Sequence, residues 1–104
     1  MKKPDPILAR FRAALDEIYG DRIDRVVLFG SRARDDAYPD SDYDIAVFLK
    51  SLPDRWAELD RLADLRVKFL DETGAFFDVM PYLAASYRER TPLMHEIREE
   101  GLDL

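Results

Sequence analysis

A short apolar run that ends abruptly at a glycine is the feature that most restricts how this chain folds. Residues 26–29 read Val-Val-Leu-Phe, and Gly30 follows them directly. Short runs of β-branched and aromatic residues closed by a turn residue are typical of buried strands. The run therefore predicts a strand over residues 23–29. A second apolar run predicts a strand over residues 45–49, paired with the first.

Helical periodicity accounts for most of the remaining chain. Apolar residues at helical spacing predict a first helix between Pro6 and Gly20, a long helix over residues 53–73 and a last helix over residues 92–100. Residues 31–38 have room for one or two helical turns. These segments predict amphipathic helices that pack on the strands.

A third strand is predicted over residues 75–80, where the sequence Ala-Phe-Phe-Asp-Val-Met is closed by Pro81. The long helix before it serves as a crossover connection. The order of these elements predicts an α+β fold, with a small mixed β-sheet flanked by helices.

The composition excludes several classes of site. The 104 residues have room for one domain, spanning residues 1–104. A formal charge of −6, from 22 acidic and 16 basic side chains, argues against direct nucleic-acid binding. Cysteine is absent and His95 is the single histidine, so any metal must be held by oxygen ligands.

No apolar run suits a signal peptide or a membrane span, so we expect a cytoplasmic protein without membrane contact.

Gly30 and Ser31 stand where a strand passes into a helix. Free backbone N–H groups, a hydroxyl donor and the positive end of the helix dipole at such a position suit an anion such as a phosphate. The same pair is also an ordinary strand-to-helix turn and cap. Both interpretations stay open from these two residues.

Asp42 and Asp44 are separated by one residue at the head of the second strand. Their side chains leave the same face, about 7 Å apart along the backbone. Like charges repel there, and a hard cation such as Mg²⁺ would compensate them. A solvated acidic turn is the alternative. A calcium-binding EF-hand is excluded, because Ile45 and Ser51 stand where that loop needs glycine and glutamate.

Asp78 lies inside the apolar third strand, where burying a carboxylate is costly unless another group pairs with it. If this strand lies beside the second, Asp78 completes a three-carboxylate cluster with Asp42 and Asp44. An aspartate that faces water or bonds to an arginine is the alternative for this residue alone. The joint occurrence of the motifs favours the cluster.

Taken together, these motifs resemble those of the minimal nucleotidyltransferases of the DNA-polymerase-β-like superfamily. Ten residues separate Gly30-Ser31 from Asp42-x-Asp44, and a later strand carries Asp78. The stretches Gly-Ser-Arg-Ala-Arg and Ser-Asp-Tyr-Asp-Ile-Ala-Val are similar to those of the prokaryotic MNT antitoxins of HEPN/MNT toxin–antitoxin systems. The resemblance implies the polymerase-β-like palm fold, a small mixed sheet flanked by helices.

The resemblance also implies an activity and its residues. The catalytic residues and ligands of two Mg²⁺ ions would be Asp42, Asp44 and Asp78, and the residues that hold the ATP triphosphate would be Gly30, Ser31 and Arg32. The implied reaction transfers AMP from ATP to a tyrosine hydroxyl of a HEPN-type ribonuclease toxin. This AMPylation silences the toxin, so the chain would be its antitoxin, and the acceptor would be presented by another molecule.

One residue departs from the family pattern, because Asp35 stands where members commonly have glycine. A negative charge that points toward a triphosphate would weaken its binding. Two alternatives therefore accompany the leading hypothesis. The first is a non-catalytic antitoxin that neutralises the toxin by binding, which Asp35 favours, and the second is a nucleotidyltransferase with a small-molecule or RNA acceptor. Arg34, like Arg32, is a candidate for neutralising phosphate charge or for plain surface solvation.

Overall fold

Helices and strands alternate along most of the chain. The computed structural model describes residues 5–104. The helices are α1 (Pro6–Tyr19), α2 (Ser31–Arg34), α3 (Arg55–Thr73) and α4 (Pro92–Glu100). The strands are β1 (Ile23–Phe29), β2 (Tyr43–Leu49), β3 (Phe77–Leu83) and β4 (Leu102–Asp103). Short 3₁₀ helices lie at Gly20–Arg22 and Ala84–Arg88.

The strands form one mixed sheet in the order β3-β2-β1-β4. β1 is antiparallel to both β2 and β4, while β2 and β3 are parallel. A parallel pair needs a crossover connection, and α3 supplies it. The predicted α+β fold, with a small mixed sheet flanked by helices, is confirmed.

The helices α1, α3 and α4 begin at residues whose side chains cap them. The side chains of Asp5, Asp54 and Thr91 each accept a hydrogen bond from a backbone N–H in the first turn of α1, α3 and α4 respectively. Such caps satisfy N–H groups that have no partner within the helix. Gly74 ends α3 in the left-handed conformation, with a φ of 75°.

The predicted end of the third strand is wrong. The sequence predicts that Pro81 closes this strand, whereas β3 continues through Pro81 to Leu83. Proline has no N–H to donate to a neighbouring strand, and β3 is an edge strand with a neighbour on one side only. An edge position therefore tolerates the proline.

The C-terminal segment is only partly the core element that its apolar residues predict. Met94 and Ile97 of α4 are buried, but Leu93 and Leu102 are 39% and 38% exposed. The short strand β4, which the sequence analysis missed, pairs with Val27 and Leu28 near the end of β1. No helix within residues 5–104 has the length and apolarity needed to cross a membrane.

The two faces of the sheet carry different layers. Tyr43 and Ile45 of β2 lie in the larger core, together with residues of α1 and α3. Ala46 and Phe48 lie in a smaller core with residues of α4. Because successive strand residues point to opposite faces, Asp44 belongs to the α4 face of the sheet.

A side-chain link ties the start of α1 to the start of β2. The Tyr43 hydroxyl donates a hydrogen bond to the Asp5 carboxylate over 2.6 Å, and the same carboxylate caps α1. The Tyr43 ring stacks on Phe77 with 4.6 Å between centroids, and Phe77 stacks on Phe11 at 3.9 Å. Burial, together with the hydrogen bond to Asp5, raises the pKa of Tyr43 to about 12.

Substituting Tyr43→Phe should lower the free energy of unfolding by about 1.5 to 2 kcal/mol at neutral pH, because it removes a hydrogen bond to a carboxylate. The folded pKa of about 12 exceeds the unfolded value of about 10, so the contribution is complete below pH 10 and is lost as the pH rises through 12. Urea unfolding of the wild type and the variant at neutral and strongly alkaline pH measures this difference.

Tyr38→Phe is the matched control, because the Tyr38 side chain is 76% exposed. It should change stability little at either pH. A wild-type advantage over Tyr43→Phe that stays constant into strongly alkaline solution would contradict the assigned role of the Tyr43 hydroxyl.

Candidate active site

Three chain segments meet at one edge of the sheet. Because β1 is antiparallel to β2, its last residue, Phe29, pairs with Asp44 near the start of β2. Because β3 runs parallel to β2, Asp44 also pairs with Asp78 near the start of β3. Gly30 and Ser31 follow β1 directly and lie at the same edge. We call this place the aspartate edge, formed by Gly30, Ser31, Asp42, Asp44 and Asp78.

The structure corrects the expected burial of Asp78. The sequence predicts a carboxylate inside an apolar strand, but the side chain of Asp78 is exposed. Phe77 and Val79 on either side point into the larger core, so alternation directs Asp78 to the other face. Desolvation therefore does not demand a partner for Asp78, and its register with Asp44 is what connects it to the site.

Charges of the same sign surround the Asp44 carboxyl. Partial burial is the largest cause that raises the pKa of Asp44, and the negative charges of Asp78, Asp42 and Glu96 raise it further. The positive charge of Arg34 acts in the opposite direction. The three aspartates that the sequence analysis singled out therefore lie close enough for two of them to act on the third.

Glu96 is a site neighbour that the sequence analysis missed. It belongs to α4 and is half-buried, and its charge reaches Asp44 across the sheet face that α4 covers. No local spacing relates a residue of the last helix to a strand near the middle of the chain. Only the packing of α4 on the sheet brings the two carboxylates near each other.

The metal site itself stays a prediction. Within residues 5–104, no group of three or more acidic, histidine or cysteine side chains is arranged closely enough to hold a metal ion. The chemistry of the aspartates nevertheless suits a hard cation, since such cations prefer carboxylate oxygens. A cation would also relieve the repulsion that raises the pKa of Asp44.

Gly30 is required at its position for two reasons. Its φ of 75° lies in the region that favours glycine. A side-chain carbon at this position would also collide with the carboxylate of Asp44. The absent side chain at Gly30 therefore leaves room for the Asp44 carboxylate to lie against the backbone.

Ser31 opens α2, a turn of 4 residues. The Gly30 carbonyl accepts hydrogen bonds from the N–H groups of Ala33 and Arg34, both at 3.1 Å, so the turn closes on the glycine. The predicted passage from strand to helical turn is confirmed. Phosphate binding by Gly30 and Ser31 stays a prediction.

The two arginines of α2 have different surroundings. Arg32 donates from Nε to the Ser41 carbonyl over 2.9 Å and from Nη2 to the Pro39 carbonyl over 3.1 Å. Arg34 forms ion pairs with Asp36, at 3.2 Å, and with Glu100 of α4, at 3.3 Å. The charge of Arg34 also lowers the pKa of Asp44. The charge of Arg34 therefore acts on Asp44, and triphosphate binding by Arg32 stays a prediction.

The backbone conformation of Asp35 accounts for the glycine that is common at this position in the family that the chain resembles. Its φ of 67° and ψ of 29° are left-handed, and no other non-glycine residue between 5 and 104 has a positive φ. Glycine adopts this conformation without steric cost, and aspartate tolerates it better than most residues. The side chain of Asp35 is exposed. The departure from the family pattern therefore places both a negative charge and a left-handed non-glycine backbone at this turn.

Comparison with known proteins identifies the class. The family model described as Polymerase beta, Nucleotidyltransferase matches residues 15–103. This range contains every strand of the described sheet and the whole aspartate edge. The chain therefore belongs to the polymerase β nucleotidyltransferase family.

Individual relatives agree with this assignment. A curated relative from Methanocaldococcus jannaschii, named protein adenylyltransferase MJ0141, is 40% identical over 47 residues, which are 45% of this chain and 48% of that protein. The match therefore spans about half the length of the curated relative.

Two crystal structures of toxin–antitoxin complexes share the fold. The complex with AMP-PNP has a TM-score of 0.62 at 21% identity, and an MntA-HpeT mutant has a TM-score of 0.63 at 18% identity. In both, the similarity covers 90% of this chain and 69% of the other chain. At this level of identity the likeness is one of fold.

Gly30→Ala and Gly74→Ala together separate the two reasons for glycine at position 30. Both residues have a φ of 75°, but a side-chain carbon at Gly74 would have nothing within 4 Å. We expect Gly74→Ala to lower the free energy of unfolding by about 1 kcal/mol through backbone strain alone. Gly30→Ala should lower the free energy of unfolding further and displace Asp44.

Urea unfolding and Mn²⁺ binding check both variants. Equal losses of stability with unchanged Mn²⁺ affinity would contradict the close packing of Gly30 on Asp44.

Asp35→Gly should raise the free energy of unfolding by about 0.5 to 1 kcal/mol, because glycine adopts the left-handed backbone without steric cost. Asp40→Gly, at an exposed aspartate of the same loop without a positive φ, should be neutral or destabilising. Thermal unfolding and titration with ATP measure both variants. A gain in ATP affinity without a gain in stability would instead assign Asp35 an electrostatic role.

Proposed function

We propose that this chain is a Mg²⁺-dependent nucleotidyltransferase that transfers AMP from ATP to a tyrosine hydroxyl of a HEPN-type toxin, and so acts as its antitoxin. The observation that carries the proposal is the aspartate edge, where the end of β1 meets the acidic starts of β2 and β3. Family membership supports nucleotidyl transfer. The relative named as a protein adenylyltransferase supports AMP and a protein acceptor, and the toxin–antitoxin complexes support a toxin partner.

The residues of the aspartate edge divide into two groups, one suited to bind anions and the other suited to bind cations. Backbone N–H groups after Gly30 and the Ser31 hydroxyl would receive triphosphate oxygens, with the charge of Arg34 nearby. The carboxylates of the three aspartates would hold Mg²⁺. The bound cation would neutralise charge on the phosphates and on the attacking and leaving oxygens.

The reaction is an in-line displacement at the α-phosphorus of ATP. The tyrosine oxygen forms a bond to this phosphorus, the bond from the phosphorus to the α,β-bridging oxygen breaks, and pyrophosphate leaves. The hydroxyl proton passes to a carboxylate at the aspartate edge. Asp78 suits this role, because it is exposed and lies in register with Asp44. Its exposure also suits an acceptor that another protein presents.

The alternative functions receive less support. The binding-only antitoxin depends on the negative charge of Asp35, whose side chain is exposed on a left-handed turn. An RNA acceptor meets an unfavourable formal charge of −6. With a small-molecule acceptor, the AMP would be found on that molecule after the reaction and not on a partner protein.

Intact-mass measurement of a HEPN-type toxin encoded beside this chain tests the proposal. Incubation with this chain, ATP and Mg²⁺ should add one or more AMP masses to the partner. The double variant Asp42→Asn, Asp44→Asn should slow the transfer by about 100-fold to 1000-fold, because charge in the transition state is no longer neutralised. Asp40→Asn, an exposed aspartate in the same acidic loop, is the matched control and should retain the transfer.

Three other outcomes would each contradict a different part of the proposal. A stable complex without a gain in mass would overturn transfer and leave the binding-only antitoxin. A gain in mass that survives the double variant would show that Asp42 and Asp44 are not the groups that support transfer. AMP attached to a small molecule, with the partner unmodified, would replace the protein acceptor.

A further inference from the structure

Arg32 holds the loop that leads into β2. Its guanidinium donates to the carbonyl oxygens of Ser41 and Pro39, at 2.9 and 3.1 Å. It also lies over the Tyr43 ring, 4.0 Å from the centroid. Arg32 therefore contacts the residues on both sides of Asp42, namely Ser41 before it and Tyr43 after it.

Few other bonds hold the loop over residues 35–42. At its start, the Asp36 N–H donates to the Ser31 carbonyl, and the Asp36 carboxylate pairs with Arg34. A turn joins Ser41 and Tyr38, in which the Ser41 N–H donates to the Tyr38 carbonyl and the Tyr38 N–H donates to the Ser41 hydroxyl. Asp42 itself is exposed and precedes the first residue of β2. Its position relative to Asp44 therefore depends on what fixes its two neighbours.

The Tyr43 ring connects this loop to the core. Its hydroxyl is bonded to Asp5, and its ring stacks on Phe77. The guanidinium of Arg32 is planar and carries several donors in a fixed fork, so it can bond two carbonyls while it lies flat on a ring. A lysine ammonium cannot reproduce this combination, although it can still meet a phosphate as a point charge.

We propose that Arg32 is a positioning residue that holds Asp42 at the aspartate edge, rather than a ligand of the triphosphate. The inference deepens the proposed function, on which its catalytic consequence rests. It replaces the triphosphate role that the motif implies for Arg32. Arg32 acts through Asp42, because it bonds the main chain before Asp42 and contacts the aromatic ring of the residue after Asp42.

Three variants test this role in the full chain. Arg32→Met removes the charge and the two hydrogen bonds, while Arg32→Lys retains the charge but not the forked geometry. Arg10→Met is the matched control, because Arg10 also lies over a ring, that of Phe69 at 5.4 Å, and its guanidinium also donates a hydrogen bond, in this case to the Glu72 carboxylate. These contacts of Arg10 are with residues of α3, so we expect its loss to leave the aspartate edge unchanged.

Hydrogen exchange of residues 36–42 is the first readout, because it needs neither metal nor nucleotide. Exchange in this segment should accelerate about tenfold in Arg32→Met and in Arg32→Lys, since two hydrogen bonds from a charged donor are lost or distorted. Arg10→Met should not change it. Unchanged exchange in both Arg32 variants would overturn the proposal. Arg32→Lys keeps the test available if Arg32→Met does not fold.

Mn²⁺ and ATP binding are the second readout. Loss of a residue that orients a metal ligand should weaken Mn²⁺ binding by about tenfold to 100-fold in both Arg32 variants. ATP binding in the presence of EDTA should remain within about twofold, because no phosphate contact is lost. A tenfold loss of ATP affinity in Arg32→Met that Arg32→Lys restores would overturn the proposal in favour of a phosphate ligand.

The kinetic signature separates this inference from the proposed function. If AMP transfer occurs, Arg32→Lys should lower kcat by about 100-fold, as misplacement of a reacting group does, with little change in the KM for ATP. A raised KM with unchanged kcat would contradict the positioning role. If the wild type transfers no AMP, the proposed function fails, whereas the exchange measurement still decides whether Arg32 holds the loop.

Discussion

The row of paired residues Phe29, Asp44 and Asp78 is the constraint on which the rest of this molecule depends. It exists because β2 has an antiparallel neighbour on one side and a parallel neighbour on the other. With this pairing the end of β1 and the starts of β2 and β3 share one edge, although α3 separates two of them along the chain. A slip of one residue would turn a strand's side chains to the opposite face. Sheet register therefore determines whether the candidate site exists.

That register is held from the apolar side of the sheet. Tyr43 and Ile45, which flank Asp44, lie in the larger core, and the Tyr43 hydroxyl is bonded to Asp5 at the start of α1. Because adjacent strand residues point to opposite faces, the packing of Tyr43 also sets the direction of Asp44. Hydrophobic packing on one face thus stabilises a collection of like charges on the other, which electrostatics alone disfavours.

Local signals predicted most of the elements and the chemical character of the site. The caps at Asp5 and Thr91 act within a few residues, so the helix starts could be read from the sequence. The end of β3, the exposure of Asp78 and the strand β4 could not. Each depends on which strand lies at an edge and which face a helix covers. The phosphate and metal roles of the aspartate edge are still predictions, since they concern groups outside the chain.

The sequence by itself determined the elements, the carboxylate and glycine chemistry of the site, and the family to which the chain belongs, because periodicity, caps and motif spacing are short-range properties. The tertiary structure alone decided which side chains meet. Arg32 and Arg34 are the same residue type in the same motif, yet residues two apart on a helical turn face different sides. Arg32 therefore bonds the carbonyls of the loop, whereas the charge of Arg34 acts on Asp44. The role of a charged group depends on the partner within its reach, and that partner is set by long-range packing.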